Sequence, residues 1–160
     1  MQNRINLELM LRDMYESMSE LSVVLDSEHE ALVSQDVEQL QKAAADKEAL
    51  SDKVEQLESN RTAMLKAQGL DNDLASMKQL IQQSSGYDEN ALFKIWNMVA
   101  ELAQECTAKN KLNGIIIETN RRQTNAALSI LQGYHDDSTE TYDAEGSKIA
   151  SKSNSSIARA

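Results

Sequence analysis

The side chains in this chain that could do chemistry are few, and their spacing limits what each could do. His29 lies in Asp26-Ser27-Glu28-His29-Glu30, which looks like half of a carboxylate-bridged dimetal site in a helical bundle. Such a site takes two Glu-x-x-His pairs and two further inward-facing Glu residues. The chain supplies one Asp-x-x-His, and its other histidine, His135, stands far along the sequence. Cys106, the single cysteine, has no neighbouring histidine to act as a base and falls on an apolar helical face. That setting suits a buried small hydrophobe better than a thiolate nucleophile. The sequence contains no phosphate-cradling glycine loop, no Gly-x-Ser-x-Gly and no zinc-ligand spacing. No catalytic residue, metal or cofactor is therefore expected, and the chain reads as a binding protein and not an enzyme.

The elements that would carry such a function follow from composition. There are 160 residues, no proline and five glycines, and aromatic residues make up 4%. Straight-chain helix formers fill the rest, so helices are favoured throughout. The net charge of -10 argues against nucleic acid or an anionic membrane surface as partner, since both select a basic face. The first residues, MQNRINLELMLRDM, carry charges where a signal peptide needs an apolar run. Aliphatic runs such as Val23 to Leu25 and Ile115 to Ile117 fall far short of the roughly 20 residues needed to span a bilayer. A cytoplasmic protein without membrane insertion is expected.

Leu7, Leu11, Met14, Met18, Leu21 and Leu25 recur at alternating spacings of four and three, with Leu32 in phase, which makes a coiled-coil seam. Glu8, Asp13, Glu16, Glu20, Asp26, Glu28 and Glu30 are assigned to the outer face, which is either solvated or meets something basic. Asp36 with Gln39 resembles a capping box. A second seam runs through Leu40, Ala44, Lys47, Leu50, Val54, Leu57, Arg61 and Met64 to a stop at Gly69. A short helix around Leu74, Met77 and Ile81 precedes the longest one, whose phase runs through Leu92, Trp96, Val99, Ala103, Cys106, Ile117, Ala127 and Leu131. Its middle places Lys109, Asn110, Asn113, Gly114, Asn120 and Gln123 at or beside seam positions, where polar residues can fix the register between helices. The fold class is all-α: an elongated antiparallel coiled-coil bundle of three long helices with a short extra helix and a disordered C-terminal tail. The bundle is expected over 1–133, with helices at about 3–33, 37–68, 73–84 and 89–132, and a flexible tail over 134–160.

The last third holds Cys106, Asn110-Lys111-Leu112-Asn113-Gly114, Ile116-Ile117, Ala127-Leu128, Leu131, Gly133 and then Thr141-Tyr142-Asp143-Ala144-Glu145-Gly146. In this order the pattern resembles the FlgN family of bacterial flagellar export chaperones. The resemblance implies a type III export chaperone that binds the C-terminal helices of hook-associated junction proteins, FlgK-like and FlgL-like, and prevents their premature assembly. It also implies delivery of that cargo to the export gate. Substrate binding would then fall to Asn110, Asn113, Gly114, Ile117, Asn120, Gln123, Ala127 and Leu131, and gate docking to Tyr142, Asp143 and Gly146. The alternative is a self-associating structural coiled coil, a homo-oligomer formed through the same seam.

Overall fold

The computed structural model describes residues 2–83 and 89–132, with side chains from Leu7 onward. Four helices follow one another: α1 (Gln2–Ser34), α2 (Val37–Ala67), α3 (Leu74–Gln83) and α4 (Glu89–Leu131). No strand occurs among the described residues. The all-helical class, three long helices and a short one, is the one the seam spacing predicts. With no proline to interrupt it, α4 reaches 43 residues, about 65 Å of helix. The chain divides into two units, residues 1–119 and 120–160. The tail expected from residue 134 lies outside the described residues.

Local chemistry sets the helix ends in the first unit. α1 stops at Gln35, which takes a left-handed φ of 57° so that the Asp36 N–H can donate to the Ala31 carbonyl. Asp36 then caps α2, its Oδ1 accepting from the Gln39 N–H at 3.0 Å. The Gln39 side chain does not return to complete a capping box; it donates to Ser27 Oγ on α1 and ties the hairpin across the turn. α2 ends in a Schellman arrangement, with Gly69 at φ 69°, its N–H on the Lys66 carbonyl and the Leu70 N–H on the Leu65 carbonyl. Leu70 then folds onto the core. Asp73 caps α3 through the Ser76 N–H at 2.7 Å, and that bond holds its carboxyl below the ordinary value.

The core gathers Leu7, Leu11 and Met14 of α1, Leu65 of α2, Met77 and Ile81 of α3, and Leu92 and Val99 of α4. The short helix therefore closes one end of the bundle with a strongly apolar face. Trp96 packs against this cluster with the Arg61 guanidinium 5.4 Å from its ring centre. Arg61 is itself buried and hydrogen-bonded to Glu58 and Asn72, which explains a cation in the α2 seam. Along the rest of α2 the predicted seam is only half-buried at Leu40, Leu50, Val54 and Leu57, and Ala44 is exposed while Ala43 is buried. Directions follow from the side-chain pairs. α2 opposes α1, as Gln39 beside the turn meets Ser27 late in α1 while Leu65 near the end of α2 joins Leu7 and Leu11 early in α1. α4 runs parallel to α1, with Cys106 beside Met18, Lys109 beside Ser22 and Asn113 beside Leu25.

Candidate functional site

Towards the end of α1, where it faces the first third of α2 and the middle of α4, the apolar seam gives way to a polar knot. Asn113 is 1% exposed; its Nδ2 donates to the Leu25 carbonyl at 2.8 Å and to Glu28 Oε2 at 2.9 Å. Its Oδ1 lies 3.1 Å from His29 Nδ1, so that ring nitrogen is the donor. Glu28, 2% exposed, takes Lys47 of α2 on its other oxygen. One buried carboxylate thus joins α1, α2 and α4. One turn earlier, Lys109 donates to Ser22 Oγ and Asp26 Oδ2 at 2.7 Å and pairs with Glu105 at 2.8 Å. Desolvation works against the Lys109 ammonium, but the bonds to Asp26 and Glu105 outweigh it and raise its pKa. Those contacts hold Glu105 below its ordinary value, Lys109 first and Ser22 second.

Glu28 belongs to this interior and not to the acidic outer face. Its position was legible, since Leu25, Glu28 and Leu32 continue the spacing of three and four, but its charge hid it among the exterior acids. The Asp26-x-x-His29 fragment is likewise spent on α4 contacts, and among the described residues no group of three or more acidic, histidine or cysteine side chains could hold a metal. Cys106 is buried and donates to the Met18 carbonyl at 3.5 Å; burial pushes its thiol pKa up, away from nucleophilic use.

The residues expected to bind substrate separate into two groups. Asn113 is interior, part of the knot, and cannot touch a partner without the bundle opening. Asn110 is exposed at the edge of an open pocket of about 460 Å³ whose floor includes Met18, Leu25 and Cys106. Gly114 is exposed, and a Cβ added there would meet nothing within 4 Å, so internal packing does not require the glycine. Ile117 is exposed, as are its neighbours Leu112 and Ile115. In the second unit Asn120 is half-buried, while Gln123, Ala127, Leu128, Ile130 and Leu131 are exposed, Leu131 at 82%. Leu112, Ile115, Leu128 and Ile130 were missed because they fall outside the seam phase. Tyr142, Asp143 and Gly146 lie outside the described residues.

Late α4 thus presents large aliphatic side chains to solvent, with Lys111, Arg121 and Arg122 against Glu118. No helix among the described residues is long and apolar enough to cross a membrane. The model of the FlgN protein family matches residues 1–149. A solved chain from Pseudomonas aeruginosa, described as a flagella synthesis protein FlgN, is similar at 23% identity and a TM-score of 0.65, covering 79% of this chain and 95% of that one. Among curated proteins nothing matches.

Proposed function

Since the chain belongs to the FlgN family, we propose that it is a cytoplasmic flagellar export chaperone without catalytic activity of its own. Its cargo is the C-terminal helix of hook-associated proteins, FlgK-like and FlgL-like, which it keeps from premature assembly and delivers to the type III export gate. The observation that carries this reading is the exposure of Ala127, Leu128 and Leu131, which one turn of the late helix places on one side. Isolated exposed apolar residues need no explanation, but a cluster on one side of a helix suits helix-in-groove recognition, in which an amphipathic helix covers it with its own apolar face. Covering the cargo helix withholds it from assembly by mass action, with no energy source needed.

Asn110, Gly114, Ile117, Asn120, Gln123, Ala127 and Leu131 are assigned to cargo contact, with Asn113 setting the register beneath them. Tyr142, Asp143 and Gly146 are assigned to the export gate. Calorimetric titration of the full chain with the synthetic C-terminal helix of a hook-associated protein should show a complex, weakened about a hundredfold or more by Leu128→Ser with Leu131→Ser, the scale of two leucines lost from a buried contact. Absence of heat and of complex removes the reading. Tyr142→Ala should spare that binding while reducing export of the cargo from cells. The competing reading, a self-associating coiled coil, requires light scattering to show a stable oligomer of the free chain.

A further inference from the structure

We propose that the groove between α1 and α2 over Val23, Val24, Ala49 and Leu50, rimmed by Glu20 and Asp46, docks a basic amphipathic helix of a partner protein. This site is separate from late α4, and the proposal goes beyond the cargo-binding reading. The groove has a volume of about 490 Å³, and no cationic side chain lines it. Val23 is 66% exposed on the side of α1 away from the seam, so a β-branched apolar side chain stands in water between carboxylates. Of the acidic side chains in residues 13–30, Asp26 and Glu28 are taken up by Lys109 and Lys47, and Asp13, Glu16, Glu20 and Glu30 stand in a stretch with no lysine or arginine. The ridge continues, because Ser19 and Glu20 also line a second groove, between α1 and α4, together with Glu16. The one cation there, Arg12, is paired with Glu8 at 2.8 Å.

This chemistry selects among occupants. A neutral apolar helix would desolvate Glu20 and Asp46 without giving either a partner. Acidic helices, nucleic acid and anionic lipid surfaces would meet like charge. A helix with apolar residues at helical spacing and lysines or arginines along its flanks can bury its aliphatic stems on Val23 and Leu50 while its charged heads reach the two rims. Late α4 differs in sign, with Lys111, Arg121 and Arg122 against one Glu118, so the two faces call for partners of different charge.

The test uses the full chain and two labelled amphipathic peptides of roughly 18 residues, long enough to hold a helix. One is built from Leu and Lys, the other from Leu and Glu in the same pattern, and binding is read by fluorescence anisotropy. The Leu/Lys peptide should bind and the Leu/Glu peptide should not. Glu20→Lys with Asp46→Lys should weaken binding about tenfold or more, the scale of two lost close ion pairs at an interface. Val23→Ser, at an exposed position that leaves the fold intact, should weaken it about threefold to tenfold through lost apolar burial. Glu55→Lys with Glu101→Lys makes the same change in net charge at exposed positions outside the groove and should leave affinity within about twofold, as screened distant charges do. An equal loss in that control, no effect of Val23→Ser, or equal binding of the Leu/Glu peptide each overturns the proposal. So does sedimentation showing a self-associated chain that Val23→Ser separates, which would make a second copy the occupant. Leu128→Ser with Leu131→Ser should leave the Leu/Lys peptide bound, so failure here and failure of the cargo reading are told apart.

Discussion

Two residues hold conformations or contacts that their own side chains do not favour alone. Gln35 takes the left-handed region that a Schellman turn needs, where a Cβ costs about 1 kcal/mol and glycine costs nothing. Gln35→Gly is therefore expected to raise stability by about 0.5 kcal/mol, part of the relief being offset by the greater freedom of glycine in the unfolded chain. Urea denaturation measures it, and a fall in the midpoint would show that the Gln35 side chain contributes something the turn geometry does not. Asn113 is the opposite case, a polar group whose bonds are all made inside. Asn113→Ala takes their partner from one oxygen of buried Glu28 and from the His29 ring N–H, with an expected cost of about 2 kcal/mol. Its cargo affinity, measured below the unfolding transition, should stay close to that of the unaltered chain. A large loss of affinity at unchanged stability would place Asn113 at the contact itself.

At the scale of elements, α4 changes character along its length. Up to Asn113 it is a packing helix, with Leu92, Val99 and Cys106 buried; from Gly114 onward no residue is fully buried. Gly114 marks the change and has open space where a Cβ would stand, so Gly114→Ala should stabilise the helix by about 1 kcal/mol through propensity alone. Gly114→Leu should fold equally well and lower cargo affinity if a partner backbone approaches closely there. Circular dichroism and calorimetry separate the two effects, and unchanged affinity in both variants would remove Gly114 from the contact. The seam of α1 was legible because Leu7, Leu11, Met14 and Leu25 combine strict spacing with apolar side chains, and all four are buried. The α2 seam was less so: Lys47 and Arg61 stand in it, and the true inner line includes Ala43 and Leu65 beside the predicted phase. The knot was half legible. Lys109 and Asn113 were visible as polar breaks in a seam, but their partners Asp26 and Glu28 come from another helix, and sequence spacing carries no information on which turn meets which.

For the molecule as a whole, stability and binding are assigned to different places. The cluster where all four helices meet holds the fully buried Leu7, Leu11, Leu65, Met77 and Ile81, so Leu11→Ala, at 0% exposure, should cost about 3 kcal/mol by transfer and cavity terms. Leu131→Ala, at 82% exposure, should change thermal stability by less than about 0.5 kcal/mol. Paired melting curves check this, and comparable losses would mean that the end of α4 is structural. The class of fold was readable from absent proline and repeated spacing because those are local properties; the charge contrast between α1 and late α4 was readable too, but not that Asp26 and Glu28 in the acidic stretch are taken up by Lys109 and Lys47. The Glu28–Lys47–Asn113 knot has a mechanical consequence. Apolar seams let neighbouring helices slip by a turn at modest cost, whereas a slip here would pull a carboxylate from both its partners and press it against leucine. A pull along the axis of α4 between Glu89 and Thr119 therefore loads the knot in shear, and this part of the helix resists together with α1 and α2 and does not slide out from between them.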